Sequence, residues 1–347
     1  MQSLFKQSDA GSVRPIAVLV DREGLGDTLL KLPFLRAISR AYPDRPIWWI
    51  ATHETSMAHE MSPIVGGMLS KVIEKAGITT PMWQVIRNLR TLPPFDLVFD
   101  MRTRVPTVLL ARLFLKHRGF YCCLPGYLFS DRRPPGRFSR PKGIAARALS
   151  MAAAALRYQP EWQGPFTLSP DARRIAAERL PSGPVYVGFA IGSREVRKNW
   201  PLERFVEVAR LLAGEGIVPV FFSGPQEGAV VAQLRSAIPE AVFPQTDPVD
   251  SSIAPLEFAL AIGERLSAAI ANDSGMGHTL GALGVPLVSL FGPTNPDRWA
   301  PMTVRGIILR AQDYAGENMT AIPVAAAHAA IRKLLADQTG GSASTDR

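Results

Sequence analysis

The feature that most constrains this chain is a rhythm of short apolar runs alternating with helical patterns, which starts, breaks off and starts again. Residues 16–20 (IAVLV) are followed by a polar, glycine-bearing turn and then an apolar-periodic segment over 28–41. Further apolar runs at 47–51 and 97–99 alternate with helical patterns at 82–92 and 105–116. Continuous apolar runs mark strands buried on both faces, as in a parallel sheet covered by crossover helices. Over residues 124–142 the rhythm gives way to a Pro-, Gly- and Arg-rich stretch, read as a mobile basic loop. A helix over 143–158 follows. The pattern then restarts: strands at 185–190, 218–222, 268–271 and 287–291, with helices at 202–213, 228–238, 255–262, 277–283 and 324–335.

The expectation is an α/β chain of two Rossmann-like, doubly wound parallel-sheet lobes with a cleft between them. Its 347 residues are enough for two separate cores. The first lobe is placed at 1–160 and a proline-spaced linker at 161–182. The second lobe follows at 183–336, with a tail at 337–347 that has nothing to bury and is expected to be disordered.

Composition narrows the classes. The two cysteines, Cys122 and Cys123, are adjacent, which suits neither a disulfide framework nor a zinc site and fits a reducing compartment. The first 15 residues lack the apolar core of a signal peptide, and no apolar run reaches the ~18 residues of a membrane span. A cytoplasmic setting with at most peripheral membrane contact is expected. The net charge of +9 is uneven: residues 1–180 carry +12 and residues 181–347 carry −3. A basic first lobe attracts anions, but neither a nucleic-acid motif nor basic residues interleaved with aromatics accompany it, so nucleic acid is not an expected partner.

Ligands of open parallel sheets bind beyond the carboxyl ends of the strands, so the loops there are the candidate sites. The first, Asp21 to Thr28, reads DREGLGDT. Asp27 at the mouth of the next helix is either an N-cap or a general base for a hydroxyl, and spacing alone favours the cap. Leu29 replaces the third glycine of a dinucleotide fingerprint, so a nicotinamide cofactor is not expected. The second loop, from Ile191 to Pro201, offers Ser193 and Lys198 at a helix entrance, suited to a diphosphate; Trp200 reads as a packing residue beneath it. Glu227 in the third loop is either a cap or a ribose ligand. The fourth, Asn272 to His278, presents Asp273, Ser274, Gly275, Met276, Gly277 and His278, and the fifth contributes Thr294; together they form a phosphate cradle. No Asp-x-Asp pair occurs, so metal-bridged diphosphate chemistry has no support and no metal ligands are assigned.

Gly26-Asp27 before an apolar helix, the FDLVFD strand ending at Asp100, Lys198-x-Trp200-Pro201, Asn272-Asp273-Ser274-Gly275 and Phe291-Gly292-Pro293-Thr294 resemble, in order and spacing, the bacterial heptosyltransferases of glycosyltransferase family 9. The resemblance spans about residues 15–336. It implies a GT-B fold with an acceptor-binding N-terminal lobe and a donor-binding C-terminal lobe. The implied reaction is inverting, metal-independent transfer of heptose from ADP-heptose, with no further cofactor, to a lipopolysaccharide core or similar surface glycan. In it Asp27 resembles the base and Lys198 the cation at the departing diphosphate. Asp273 resembles the donor-sugar contact, Ser274 to Gly277 the phosphate lining, and Glu227 the ribose ligand. Arg102 and Arg104 after the Asp100 strand depart from the family's longer polar run. With Arg132, Arg133 and Arg137 of the basic loop they are assigned to an anionic glycolipid acceptor at the inner face of the cytoplasmic membrane. A non-catalytic nucleotide-sugar or glycan-binding protein on the same fold is the alternative.

Overall fold

The computed structural model describes residues 13–136, 140–223, 228–246 and 252–341. The chain divides into two compact units. The first comprises residues up to Gly24, 34–140 and 147–161; the second takes in 25–33, 141–146 and the chain from Trp162 onward.

The first unit is built on a five-stranded sheet, β1 (Ile16–Val20), β2 (Ile47–Ala51), β3 (Lys71–Ile73), β4 (Phe95–Asp100) and β5 (His117–Cys122), ordered β3-β2-β1-β4-β5. Every pairing is parallel, with Val18 opposite both Trp49 and Phe99. All five residues of β1 are fully buried, which is why the sequence there is continuously aliphatic. The helices in this stretch of chain are α1 (Leu25–Ala41), α2 (Ser62–Val65), α3 (Met82–Thr91), α4 (Val105–Phe114) and α5 (Ile144–Leu156). In α1, Pro33 removes one intrahelical donor, and it is the last residue of that helix to group with the second unit.

Where the pattern predicts a helix through residue 116, α4 stops at Phe114 and His117–Cys122 becomes the edge strand. The stretch beyond it is not the free loop expected, because its first part folds back along that edge. Asp131 donates its N–H to the Phe120 carbonyl at 2.8 Å, its Oδ2 accepts the Phe120 N–H at 2.7 Å, and Ser130 Oγ accepts the Cys122 N–H at 2.8 Å. Donors and acceptors of an edge that would otherwise template another strand are thereby covered.

The second unit holds β6 (Tyr186–Ala190), β7 (Val218–Phe222), β8 (Ala268–Asn272), β9 (Leu287–Phe291) and β10 (Gly306–Arg310), all parallel and ordered β10-β9-β8-β6-β7. Around this sheet run α6 (Pro170–Arg179), α7 (Leu202–Gly214), α8 (Gly228–Ala237), α9 (Pro255–Gly263), α10 (Gly275–Leu283), α11 (Pro296–Trp299) and α12 (Val324–Gly341). Its core is aromatic at the centre: Phe189 stacks on Phe221 at 4.8 Å, and Trp200 meets Phe205 edge to face at 4.9 Å.

Two segments differ from expectation here. The proline-spaced linker contains α6: Ser169 caps it by accepting the Ala172 N–H, and Pro170 occupies the first turn, where its missing donor costs nothing. α6 is tied to α9, since Glu257 accepts the Ser169 N–H at 2.7 Å and Arg173 forks onto both oxygens of Glu264 at 2.9 and 3.0 Å. At the other end, α12 continues through Gly341, past the predicted end of the ordered chain; residues 342–347 lie outside the described residues.

Candidate active site

In the second sheet the strand order reverses between β6 and β8, so the loops leaving these two strands flank the switch point. One buried side chain stitches them together. Asn272, at the end of β8, donates to the Ile191 carbonyl at 2.6 Å and accepts the Trp200 N–H at 3.0 Å. Trp200 is buried beneath the loop as expected, with its indole N–H on the Ile322 carbonyl at 3.1 Å.

These two anchors fix Lys198, which sits on the single turn 196–198. Its Nζ lies 3.0 Å from Asp273 Oδ2 and 3.3 Å from Glu195 Oε1, and its side chain is only 18% exposed, so water screens the charges weakly. Thr294 Oγ1 donates to the same Asp273 oxygen at 2.8 Å, and Ser193 Oγ donates to the Asp273 carbonyl at 3.4 Å. Residues from two loops, after β6 and β9, thus converge on Asp273 in the loop after β8.

Directly after Asp273, Ser274 caps α10 by accepting the Gly277 N–H at 3.3 Å. A Cβ at Gly277 would stand 2.9 Å from the Asn272 carbonyl oxygen, so only glycine fits this close crossing. The first amides of α10, at Gly275 and Met276, form a helix N-terminus suited to an anion.

His278 lies in the next turn, buried, with Nε2 3.8 Å from Asp273 Oδ1 and with Nδ1 lacking a hydrogen-bond partner. Burial pushes its pKa below the usual 6.5, opposed by the charges of Asp273 and Asp27 and aided by Lys198. The ring faces the start of α1: a Cβ at Gly26 would sit 3.2 Å from its Cδ2. The first turn of α1, counted with the second unit, therefore brings Asp27 close enough for its charge to act on His278. Asp27 is not the N-cap that spacing favours. The helix begins at Leu25, and Asp27 is its third residue, where a carboxylate complements the helix dipole.

The predicted acceptor residues divide. Arg102 is corrected: it is 0% exposed, its guanidinium is forked onto Asp100 at 2.9 and 2.7 Å, and it donates to the carbonyls of Ile78 and Thr107 at 2.8 and 3.0 Å. Four of its five donors are spent inside the first unit, so it braces the end of β4 and cannot meet a ligand. Arg104, Arg132 and Arg133 are exposed. Arg137 and Glu227 lie outside the described residues.

Two residues escape the sequence reading. Glu195 supplies the second carboxylate at Lys198 and also pairs with Arg197 at 2.8 Å. Glu23, in the loop after β1, is buried and accepts from Trp49 Nε1 at 2.7 Å and Thr55 Oγ1 at 2.6 Å. Its place between the β1 end and the double glycine is the available signal.

Comparison with known proteins decides the family. The glycosyltransferase family 9 (heptosyltransferase) profile matches residues 83–322. The chain belongs to glycosyltransferase family 9. Lipopolysaccharide heptosyltransferase 1 of Pseudomonas aeruginosa is 29% identical over 330 residues, covering 88% of this chain and 85% of that protein. Lipopolysaccharide heptosyltransferase 3 of Escherichia coli is 29% identical over 349 residues, covering 91% and 98%. Among solved structures, the family 9 glycosyltransferase of Veillonella parvula superposes with a TM-score of 0.66 at 20% identity, over 95% of this chain and 100% of that one. E. coli heptosyltransferase WaaC with ADP-2-deoxy-2-fluoro heptose gives 0.63 at 21% identity, over 92% and 99%. The fold is GT-B, and the family 9 motifs of the second unit are the segments that meet at Asp273.

Proposed function

We propose that this family 9 protein transfers heptose from ADP-heptose to an anionic acceptor of the lipopolysaccharide core or a related surface glycan, with inversion and without a metal ion, at the inner face of the cytoplasmic membrane. The observation that carries the reading is the convergence of Lys198, Asp273 and Thr294 at the N-terminus of α10, with Asp27 in the same compact unit. The relatives' names, and the ADP-heptose analogue held by WaaC, support the donor and the acceptor class.

In this mechanism Asp27 accepts the proton of an acceptor hydroxyl, whose oxygen attacks the anomeric carbon of the donor. The bond between that carbon and the β-phosphate oxygen breaks with its electron pair going to the diphosphate, and configuration inverts in one displacement. The leaving charge is met by Lys198 and by the amides of Gly275 and Met276, with Ser193 and Ser274 beside them. Lys198 is held at Asp273 and Glu195 until the diphosphate competes for it, which stations a cation where a metal would otherwise be needed. Asp273 and Thr294 face the donor sugar, and Arg104, Arg132 and Arg133 serve the acceptor.

Asp27→Asn keeps the shape and removes the base. Transfer should fall by about 10²- to 10⁴-fold, with ADP affinity within a factor of about two of wild type and wild-type turnover surviving EDTA. Near-normal turnover by the variant would discard Asp27 as the base. ADP binding with no transfer to any core acceptor would favour a binding protein instead.

A further inference from the structure

The first unit carries a surface for which the proposed chemistry has no use. α3 buries Val85 and Leu89 and turns Trp83, Arg87 and Arg90 outward; positions i, i+4 and i+7 share one helix face. Trp83 is 63% exposed, and the Arg87 guanidinium lies 5.3 Å from its ring. Arg90 sits 4.9 Å from the ring of Phe114, linking this face to α4, which adds Leu113, 62% exposed, and Lys116 just past its end. Among the described residues no carboxylate pairs with Arg87 or Arg90. Arg112 of α4 holds Asp131 at 2.6 Å, which anchors the exposed Arg132 and Arg133 beside the same helix.

We propose that the α3 and α4 face, through Trp83, Leu113, Arg87, Arg90 and Lys116, docks the protein on an anionic lipid surface. An exposed indole with the Arg87 guanidinium against its ring, and further cations on the same two helices, suits a headgroup layer, where the ring meets the acyl boundary and the cations meet phosphates. An acidic protein would satisfy the cations but give no use to the exposed Trp83 and Leu113. A second copy of the chain would bring like charges together. The docking surface rests on the proposal that the acceptor is a membrane glycolipid, and it assigns the orienting role to residues outside the transfer chemistry.

The test uses the full chain with vesicles free of any glycolipid, either phosphatidylcholine alone or phosphatidylcholine containing phosphatidylglycerol. The wild type should sediment with the anionic vesicles only, and lose binding as salt rises from ~0.1 to ~1 M and the Debye length falls from ~10 to ~3 Å. At about fivefold per cation, the double variant R87Q/R90Q should partition roughly 25-fold less. Trp83→Ala, with all cations kept, should also weaken binding, and brominated acyl chains should quench less fluorescence in Trp83→Phe than in wild type. Circular dichroism should be unchanged for these exposed substitutions. No wild-type binding, variants that bind as wild type does, or patch-dependent self-association without vesicle binding would overturn the docking surface. Transfer to a lipid-free soluble acceptor should be equal in wild type and R87Q/R90Q. Its absence in both would refute the transfer reading and leave the vesicle result standing.

Discussion

At the scale of single residues, burial decides which charges are free to act. Arg102 and Lys198 are both cations in loops that leave a strand, yet Arg102 is fully enclosed by Asp100 and two carbonyls while Lys198 stays partly exposed beside Asp273, the residue before the α10 cap. His278 poses the same question in reverse. Protonating it would gain attraction to Asp273, but at 3.8 Å that is not a hydrogen bond, and Lys198 and Thr294 already occupy the other Asp273 oxygen. Burial prevails and the folded pKa lies below 6.5. The unfolded chain therefore binds more protons just below pH 6.5, and this contribution to stability is complete above that pH and lost as pH falls. His117 is lowered in the same direction by its own burial, so only the difference between variant and wild type isolates His278. We expect thermal melting of the wild type to fall from about pH 7 to 5 more steeply than that of His278→Gln. Parallel curves would mean that His278 is not held neutral by its surroundings.

At the scale of elements, strands buried along their length are legible in the sequence, including the edge strand β7, buried over four of its five residues, and the more exposed edges are not. β1, β6, β8 and β9 are buried along their whole length, so their sequences are nearly unbroken apolar runs. β3, β5 and β10 carry exposed or half-buried residues, and β5 begins with His117 and Arg118, which no strand pattern distinguishes from a helix end. α6 hides in a proline-rich stretch because Pro170 starts a helix as readily as it ends one. The site is legible at the loops after β6 and β8, where glycines, hydroxyls and charges follow directly on buried apolar strands. Glu195 and the enclosure of Arg102 are not, since sequence records a charge but not its partner. Gly277 shows how tightly the element is fitted. An added methyl would meet the Asn272 carbonyl at 2.9 Å and Ala271 Cβ at 3.1 Å. Gly277→Ala should cost about 1–3 kcal/mol in chemical unfolding by overpacking, and should weaken ADP binding because α10 and the Asp273 loop must shift together. A variant with unchanged stability and ADP affinity would show that the crossing has slack.

At the scale of the whole molecule, the charge is divided as the proposed ligands are. The net +12 of residues 1–180 falls in the stretch assigned to an anionic acceptor, and the −3 of residues 181–347 leaves the nucleotide sugar to a local cluster, not to a broad field. Two uses of the positive half need separating, because docking on lipid and holding an anionic sugar would both weaken when arginines are removed. A lipid-free acceptor separates them, since docking then contributes nothing. With such an acceptor, Arg132→Ser combined with Arg133→Ser should raise the acceptor KM by about tenfold for each charge-assisted hydrogen bond removed. The donor KM and kcat should hold, because the Asp273 cluster is built from loops of the second unit. Steady-state kinetics with each substrate varied in turn reads the difference. An unchanged acceptor KM would leave the exposed arginines after Asp131 to the membrane alone, and a raised donor KM would mean that the positive half serves the nucleotide as well.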